Sequence, residues 1–397
     1  MPETPPDRPS DDAPAAEQLD WYVADLRRHG VRRVHVLAWR DLDDRDAGGS
    51  EVHADEFMRR WADRGLDVLH RTSAAVGLPA EDRRHGYDVV RRGSRYSVFP
   101  RTIAAELGRR MGPYDALVEI WNGVPWFSPL WCRRPRVIMF HHVHGPMWDQ
   151  VMPGPLAPAG RFLEARLAPP FYRRELTVTP SEATRDELIE LGWRPERVRA
   201  FPNGVDSKFS PGDGTKTEHP SLIAVGRLAP VKRFDRVIDA AIEARRRVPG
   251  LTLEIVGSGP LDADLQTRID AAGASAWIRL VGKLTHDELV ERYRRSWLVT
   301  SGSIAEGWGL SITEGAACGT PCVVTDIRGH RSSVRDGRSG VLVDPDRLGA
   351  TIADVLAEPA RLADLRAGAL DWARSLSWDA SALGITRALH DVVVQRR

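Results

Sequence analysis

A chain of 397 residues with 42% hydrophobic residues is too long for a single hydrophobic core, so we expect two domains of similar size. The formal net charge is only +1 and no segment concentrates positive charge, which argues against a general nucleic-acid-binding protein. The 3 cysteines show no metal-ligand spacing with histidines, and no apolar run has the length of a membrane span, so we expect a cytoplasmic protein with buried thiols.

The N-terminal segment, residues 1–20, is rich in Pro, Asp and Ala and is predicted to be a flexible tail. It lacks the basic start and the apolar run of a secretion signal. Arg33–Trp39 is then predicted to be a strand and Ser50–Gly65 a helix. Gly48 and Gly49 lie at the turn between them, where glycine lets the backbone approach a ligand closely; a plain tight turn is the alternative.

Four more short runs in the first half, apolar or alternating, each predict a strand: Val68–Thr72, Asp88–Arg92, Ala116–Trp121 and Val137–Phe140. Three histidines, His141, His142 and His144, follow the last of them, at the end where α/β sheets hold ligands. Three clustered histidines also suggest zinc, but no Cys or carboxylate of suitable spacing joins them. Structural histidines are the other alternative.

The composition changes between residues 145 and 174, where Trp, Met, Phe and Leu share a short region with arginines. This mixture predicts either an interfacial surface for a lipid-linked acceptor, with peripheral membrane contact through residues 147–174, or, more ordinarily, a loop and helix packed over a cleft. Leu176–Pro180 is then predicted to be a strand, and Ser181 to cap the helix that follows. Phe201–Gly212 has no periodicity between its Pro and Gly residues and is predicted to be the interdomain linker.

The second half repeats the alternation of strands and helices, which predicts a second doubly wound α/β domain. The predicted strands are Ser221–Val225, Leu251–Val256, Ile278–Val281 and Trp297–Ser301, then one that begins at Val323 and one that ends near Pro345. The predicted helices are Arg233–Arg247, Leu261–Ala272, Thr285–Ser296, Leu310–Cys318, Leu348–Leu356, Leu362–Ala373 and Trp378–Val394.

Two cationic side chains follow the first strand of this second domain. Arg227 and Lys232 leave from the loop at the carboxyl end of Ser221–Val225. An arginine fork and a lysine point charge together suit a diphosphate. Surface salt bridging is the alternative for both residues.

The stretch Trp297–Val324 has the order strand, glycine-rich loop, helix, turn, strand, and the rest of the chain is best understood around it. A helix N-terminus there faces out of a strand's carboxyl end, where unpaired N–H groups and the helix dipole favour an anion. Glu306 lies in the loop and Glu314 one turn into the helix. A solvated loop carboxylate is the alternative for Glu306, and a capping box with Ser311 is the alternative for Glu314.

Residues 306–314 read EGWGLSITE, which resembles the E-x7-E motif of retaining GT-B glycosyltransferases of family 4. Two further motifs are similar to that family: NGVD at residues 203–206, and GRLAPVK at residues 226–232. The family has a glycine after this lysine, and here Arg233 replaces it. The resemblance covers nearly the whole chain from Arg33 onward.

The resemblance implies an α/β fold of GT-B architecture, in which two Rossmann-like doubly wound domains face each other across a cleft. After the tail, it implies an acceptor-side domain over residues 21–205 and a nucleotide-sugar-binding domain over residues 206–375. A C-terminal helix over residues 376–397 would cross back to the first domain.

The resemblance also implies roles for individual residues. Glu306 would contact the donor sugar, Glu314 the ribose, and His142, with His141 as second choice, would help to hold the sugar. The expected catalytic residues are Glu306, His142, Arg227 and Lys232. The expected donor-binding residues are Gly48, Gly49, Arg227, Lys232, Gly282, Lys283, Glu306, Gly307, Gly309, Leu310, Ser311 and Glu314.

We therefore expect a retaining enzyme that moves a hexose-type sugar from a UDP- or GDP-linked donor to a glycan, glycolipid or small-molecule acceptor. No metal, cofactor or nucleic-acid partner is expected, and the acidic run at residues 41–44 is not taken as a metal site because the signature it resembles belongs to a different fold. GT-B proteins also include sugar-nucleotide epimerases and phosphorylases, and a nucleotide-sugar-binding protein without catalysis is the alternative outside enzymes. The expected location is cytoplasmic, peripheral on the inner face of the cell membrane if residues 147–174 bind lipid.

Overall fold

The computed structural model describes residues 8–151, 154 and 156–395 of the chain. The chain divides into two compact units, Met1–Gly204 with Trp378–Arg397, and Val205–Ser377. This division falls inside the predicted linker, and the last helix belongs to the first unit. Of the predicted N-terminal tail, residues 1–7 lie outside the described residues.

The described residues contain alternating strands and helices along most of the chain. The strands are β1 Arg33–Leu37, β2 Asp67–Thr72, β3 Glu81–Arg84, β4 Tyr87–Arg91, β5 Ala116–Trp121, β6 Arg136–Phe140, β7 Thr177–Thr179, β8 Val198–Ala200, β9 Ser221–Val225, β10 Thr252–Val256, β11 Ile278–Gly282, β12 Leu298–Ser301, β13 Cys322–Thr325 and β14 Gly340–Val343. The helices are α1 Ala15–Arg28, α2 Gly49–Asp63, α3 Val98–Leu107, α4 Ser128–Trp131, α5 Trp148–Val151, α6 Leu156–Phe162, α7 Pro169–Tyr172, α8 Glu182–Glu190, α9 Phe234–Arg245, α10 Asp262–Ala271, α11 His286–Arg295, α12 Leu310–Ala317, α13 Arg328–Ser333, α14 Leu348–Ala357, α15 Pro359–Arg374 and α16 Trp378–Val394.

The first unit is built on one sheet of strands β1 to β8, in the order β3-β4-β2-β1-β5-β6-β7-β8. Neighbouring strands are parallel except for the pair β3 and β4, which is antiparallel. All residues of the central strand β5 are buried, as expected for a parallel strand covered by helices on both faces. Helices α1, α2 and α16 pack on one face, and α3 packs on the other.

The prediction of a tail was wrong for residues 15–20, because α1 begins at Ala15. Leu19, Tyr22, Val23 and Leu26 form a buried apolar face at helical spacing, and this face packs in the same core as α16. The burial of that face stabilises a helix whose first residues are otherwise weakly patterned.

A polar cluster links the first and last helices within this unit. His390 Nε2 on α16 lies 2.7 Å from Asp25 Oδ2 on α1, and Arg28 Nη2 lies 2.9 Å from Asp25 Oδ1. The hydrogen bond that His390 donates to Asp391 and the one that it donates to Asp25 raise the pKa of His390, although burial opposes this shift. The C-terminal helix is therefore held to the first unit by charge as well as by apolar packing.

The second unit is built on a six-stranded parallel sheet in the order β11-β10-β9-β12-β13-β14. Its first and fourth strands, β9 and β12, are neighbours, and the direction in which the chain adds strands reverses between them. Ligands of such sheets bind outside the carboxyl ends of the strands at this reversal. The loops after β9 and β12 are therefore the natural place to look for a site.

Both units are Rossmann-like α/β structures, with a mainly parallel sheet in the first and a parallel sheet in the second, which confirms the predicted fold class for each unit. The first core contains buried residues of α1, α2, α16 and the central strands. The main core of the second unit lies between its sheet and α9, α14 and α15. Among the described residues, no helix has both the length and the apolar character needed to cross a bilayer.

Several histidines of the first unit are buried. His53 on α2 is 3% exposed, and its Nε2 lies 3.0 Å from Ser381 Oγ on α16. Burial lowers the pKa of His53 to about 3. Burial also lowers the pKa of His70 on β2 to about 4, although Asp41 and Asp55 oppose this shift. Both imidazoles are therefore neutral in the folded protein at any pH above about 5.

We expect the free energy of unfolding to fall as the pH drops below 6.5. In the unfolded chain both histidines bind a proton near pH 6.5, whereas in the folded unit they stay neutral until pH 3 to 4. Each histidine then lowers the free energy of unfolding by about 1.4 kcal/mol per pH unit. The pair therefore lowers it by about 2 to 3 kcal/mol between pH 6 and pH 5. Urea unfolding at a series of pH values measures this slope.

The variant His53→Gln should reduce that slope by about 1 kcal/mol per pH unit. Replacing the exposed His219 by Gln should leave it unchanged. A free energy of unfolding that is flat between pH 6.5 and pH 5 would contradict the prediction.

Candidate active site

Glycines bring the loops at the centre of the second sheet into direct backbone contact. A Cβ atom on Gly257, after β10, would lie 2.0 Å from the carbonyl oxygen of Gly226, after β9. A Cβ atom on Gly259 would lie 2.4 Å from the carbonyl oxygen of Leu228. The turn at residues 257–259 therefore packs against the loop that carries Arg227 and Lys232 and supports it.

The loop after β9 keeps a glycine-like backbone at the position where the family pattern has glycine. Arg233 has φ of 48°, in the left-handed region that side chains other than glycine's seldom adopt. Its guanidinium donates to Asp235, with Nη2 at 2.8 Å from Oδ2. The charge of Arg233 is therefore used locally, at the start of α9, and the backbone at this position has the left-handed conformation that glycine favours.

Lys232 and Glu306, from the two loops, form an ion pair. Lys232 Nζ lies 2.5 Å from Glu306 Oε1, although the two residues are 74 positions apart in the chain. Ser303 Oγ donates to the same oxygen at 2.8 Å. Neither bond uses Oε2 of Glu306, so this oxygen can accept a hydrogen bond from a ligand hydroxyl. These contacts rule out the alternative for Glu306, a solvated loop carboxylate.

The carboxylate of Glu306 is kept charged by its surroundings. Burial raises the pKa of Glu306, but the charges of Lys232 and His330 and the two hydrogen bonds outweigh it and hold the pKa below its ordinary value. Lys232 does form a salt bridge, as its alternative role predicted. The partner, however, is Glu306, which belongs to the candidate site. The arrangement presents a fixed negative charge and a fixed positive charge side by side.

His330 is a candidate site residue that the sequence analysis missed. It lies in α13, its Nδ1 is 2.7 Å from the carbonyl oxygen of Thr325, and its buried Nε2 has no hydrogen-bond partner among the described residues. Gly329 next to it has no room for a side chain, because a Cβ atom there would lie 2.2 Å from the carbonyl oxygen of Glu306. The sequence did offer a signal for both residues, because they follow the carboxyl end of β13, where such sheets bind ligands.

The N-terminus of α12 has no side-chain cap. Gly309 is the N-cap residue with φ of 100°, and the N–H groups of Leu310 and Ser311 have no hydrogen-bond partner among the described residues. These N–H groups and the helix dipole provide positive potential next to the loop that contains Gly307. An anionic group of a ligand can bind there without competing with a side chain.

Glu314 does not form the capping box that was its alternative role, because Ser311 lies inside α12 and not at its N-cap. Glu314 Oε2 instead accepts a hydrogen bond from the buried Tyr293 hydroxyl at 2.9 Å. Burial raises the pKa of Glu314 to about 7. Its other oxygen, Oε1, is not used by this bond.

The other residues that were predicted to bind the sugar donor lie on several different elements. Arg227 is exposed at the start of the loop after β9. Gly282 ends β11, two strands away from β9, and its carbonyl oxygen accepts a bond from the Gly257 N–H at 2.8 Å; Lys283 follows it. In the first unit, Gly48 is the N-cap of α2, and its N–H donates to Glu51 Oε2 at 2.7 Å. Gly49 begins that helix.

The three histidines after β6 lie in two different environments. His141 is 4% exposed and lies against His53, with ring centroids 5.3 Å apart, whereas His142 stacks on His144 at 4.5 Å. Burial holds the pKa of His141 well below its ordinary value. Within the part of the chain that the structure describes, the one set of three side chains close enough to share a metal is Asp25, His29 and His390, and mutual hydrogen bonds already occupy it.

Two family models match the chain: "Glycosyltransferase Family 4" over residues 47–209 and "Glycosyl transferases group 1" over residues 206–372. A D-inositol 3-phosphate glycosyltransferase of Frankia alni is 34% identical, over 89% of this chain and 97% of its own length. D-inositol 3-phosphate glycosyltransferase 1 of Catenulispora acidiphila is 32% identical, over 84% of this chain and 88% of its own.

Solved structures are similar to most of the chain at lower identity. Anabaena HepE, in complex with UDP and glucose, has a TM-score of 0.70 at 19% identity, over 91% of this chain and 100% of that chain. Sucrose-phosphate synthase from Thermosynechococcus elongatus has a TM-score of 0.76 at 17% identity, over 92% of this chain and 100% of that chain. At these identities the likeness shows a common fold.

We expect Gly257→Ala to destabilise the second unit strongly, because the new Cβ atom would meet the Gly226 carbonyl oxygen at 2.0 Å and Gly257 has φ of +135°. Gly273→Ala is the matched control, since Gly273 also has positive φ, +63°, but nothing within 4 Å of the added atom. The control should lower the free energy of unfolding by about 1 kcal/mol through backbone strain alone. Gly257→Ala should lower it by about 2 kcal/mol more. Urea unfolding measures both, and equal losses would show that the two loops do not depend on this contact.

Proposed function

Since the chain belongs to glycosyltransferase family 4, with a group 1 glycosyl transferase region in its second half, we propose that it transfers a hexose-type sugar from a UDP- or GDP-linked donor with retention of configuration. The family resemblance found in the sequence is confirmed, and the protein is a glycosyltransferase with a GT-B fold. What we propose is the kind of donor, the kind of acceptor and the retention of configuration.

The observation that carries the proposal is the Lys232–Glu306 pair at the point where the order of the second sheet reverses. A carboxylate with one free oxygen suits the hydroxyl groups of a sugar, and a lysine with two remaining N–H protons suits phosphate oxygens. Their separation of 2.5 Å puts the two kinds of contact next to each other. That adjacency matches the bond between a sugar and a diphosphate.

Departure of a nucleoside diphosphate leaves negative charge on the phosphate next to the broken bond. Lys232, Arg227 and the uncapped start of α12 would stabilise this charge with donors already in place. Because Lys232 has three protons, it can keep its bond to Glu306 while it donates to a phosphate oxygen. This chain's own residues thus supply positive charge to the leaving group.

Glu306 would position the sugar and would not attack it. Its low pKa keeps it an acceptor, and its bonds to Lys232 and Ser303 fix the orientation of the carboxylate. In the retaining mechanism we propose, the acceptor attacks from the face that the diphosphate leaves, and a leaving phosphate oxygen takes its proton. Glu314, through its free Oε1, would accept a hydrogen bond from the ribose.

Assays should begin with D-inositol 3-phosphate as acceptor, because the relatives from Frankia alni and Catenulispora acidiphila carry that name. UDP- and GDP-linked hexoses are the donors to compare. One nucleoside diphosphate released for each sugar transferred supports a transferase, whereas interconversion of the donor sugar without release would indicate an epimerase.

We also propose peripheral contact with an anionic membrane through residues 147–174. Four large apolar side chains of this segment are exposed, by 38% to 60% of their surface: Leu156, Phe162, Leu167 and Phe171. Arg166, Arg173 and Arg174 are exposed among them. Apolar groups that enter the interface and cations that meet anionic headgroups are the usual pair of signals for surface binding.

Replacing Lys232 by Gln should lower kcat/KM about 10- to 100-fold and weaken binding of the nucleoside diphosphate, because a charge-assisted contact worth about 1.5–3 kcal/mol is lost. Glu306→Gln should lower turnover strongly but keep nucleoside diphosphate affinity within about threefold, since in the proposed complex Glu306 would contact the sugar of the donor and not its nucleotide. Lys208→Gln, an exposed lysine of the same unit, is the matched control and should change neither. Calorimetry and initial rates measure both properties. Near-normal turnover in Glu306→Gln would show that the site is misplaced.

Vesicle flotation at low salt tests the membrane contact. We expect the protein to float with vesicles that contain anionic lipid, and the double variant Phe162→Ser with Leu167→Ser to float at least about fivefold less, because about 2 kcal/mol or more of apolar burial is lost. Val76→Ser with Val394→Ser removes the same number of exposed apolar side chains elsewhere and is the control. Equal flotation of all three proteins, or none, would remove the proposal.

A further inference from the structure

A buried glutamate of the first unit holds the loop that carries the histidines after β6. Glu164 is 2% exposed, and both oxygens of its carboxylate accept hydrogen bonds from that loop. The N–H of His144 lies 2.9 Å from Oε1, and the N–H of Gly145 lies 2.9 Å from Oε2. The indole Nε1–H of Trp148 also donates to Oε2, at 3.1 Å. Donors from residues 144–148 therefore converge on one side chain.

The glutamate lies in a turn of π-helix. Leu163–Leu167 follows α6 with this wider turn, in which the N–H of Ala168 donates to the carbonyl oxygen five residues earlier, at 2.9 Å. Turns of this kind are rare and are often found at functional sites. The nearby side chains of Phe162 and Leu167 are 60% and 46% exposed. The stretch thus presents apolar side chains to solvent, whereas the carboxylate of Glu164 is buried against the loop.

Two glycines let the chain pack closely around the donors of this carboxylate. A Cβ atom on Gly160 of α6 would lie 2.5 Å from Trp148 Cε3, so α6 packs directly on the indole. A Cβ atom on Gly123, after β5, would lie 3.3 Å from Cη2 of the same indole and 3.2 Å from His144 Nε2. The indole and the imidazole are therefore held by packing as well as by the hydrogen bonds to Glu164.

The ring of His144 stacks on the ring of His142. The centroids of the two imidazoles lie 4.5 Å apart and their planes are inclined by 26°. The other neighbour of the His144 ring is Trp148, with centroids 5.0 Å apart. His144 is buried, whereas His142 is half-buried. The more accessible ring thus takes its orientation from a neighbour whose backbone is bonded to Glu164.

We infer that Glu164 is a positioning residue, which sets the orientation of His142 through the backbone of His144 and the stacked rings. This rests on the proposed function and on the expected role of His142 in holding the donor sugar. A carboxylate accepts on both oxygens, whereas an amide of the same shape turns a donor towards one of the two backbone N–H groups. Placement matters for the rate, because a shift of about 1 Å in a group that positions substrate can lower turnover about 100-fold.

Nuclear magnetic resonance with isotope-labelled histidine tests the positioning without relying on catalysis. The Cε1–Hε1 signal of His142, assigned from its loss in His142→Ala, should shift in Glu164→Gln because the amide cannot hold both N–H groups. It should stay in place in Glu196→Gln, the matched control, which changes an exposed glutamate of the same unit. An unshifted His142 signal in Glu164→Gln would overturn the inference, whatever the turnover.

Initial rates of sugar transfer and calorimetry with the nucleoside diphosphate test the consequence for catalysis. Glu164→Gln should lower kcat about tenfold or more. The affinity for nucleoside diphosphate should stay within about threefold, because Lys232 and Arg227, the proposed cations for the diphosphate, belong to the second unit. In the His142→Ala background, which itself transfers more slowly, Glu164→Gln should lower the rate by less than about twofold further, since its effect passes through His142. Glu196→Gln should change neither quantity.

The outcomes separate this inference from the proposed function. If the His142 signal shifts but the wild type transfers no sugar from any UDP- or GDP-linked hexose, the proposed function fails and the positioning stands. If the wild type transfers sugar but Glu164→Gln lowers the rate equally with and without His142, the inference is overturned and the transferase function stands. The same holds if His142→Ala transfers sugar at the wild-type rate.

A second pair of variants replaces Glu164→Gln if that protein does not fold. His144→Phe keeps an aromatic ring on which His142 can stack, and His144→Ala does not. Sugar transfer should be at least about fivefold faster with phenylalanine than with alanine at this position. Equal rates in the two variants would overturn the inference.

Discussion

The Lys232–Glu306 ion pair is the interaction on which the candidate site depends. It joins the loop after β9 to the loop after β12, and Ser303 reinforces it from within the second loop. A carboxylate in this position would be costly without its cation, because burial raises its pKa. The pair therefore does two things: it joins the two loops, and it holds Glu306 in the ionised state, in which both carboxylate oxygens are hydrogen-bond acceptors.

That pair forms because of the strand order and the glycines around it. Parallel strands β9 and β12 are neighbours although β10 and β11 lie between them in the chain, so residues 74 positions apart share one edge. Gly257 lets the loop after β10 pack against Gly226, and Gly329 lets α13 begin against the carbonyl oxygen of Glu306. Side chains at these positions would separate the loops. The charge pair thus depends on backbone contacts that only glycine permits.

The sequence predicted the elements whose pattern is strong and missed those stabilised by distant contacts. Buried apolar strands such as β5 and β9, and the helix α16, were predicted within a residue or two. Helix α1 was missed because its apolar face is surrounded by a Pro- and Asp-rich composition, and β3, with the sequence EDRR, is an edge strand with no apolar residue. The capping box at Ser311 failed because Gly309 starts α12 two residues earlier than the motif assumes. His330 could not be selected by residue type alone, since only the sheet order brings α13 next to Glu306.

The electrostatic effect of an arginine in this chain depends on whether carboxylates pair with it, not on how many arginines the chain has. A net charge of +1 conceals arginines in opposite situations on neighbouring strands: Arg91 on β4 is enclosed by Asp41, Asp43 and Asp82, whereas Arg71 on β2 has only backbone carbonyl oxygens. Carbonyl oxygens satisfy the hydrogen bonds of a guanidinium but do not cancel its charge. The positive potential of Arg71 therefore remains available to its surroundings, while that of Arg91 does not. Neither composition nor a count of arginines could reveal this difference.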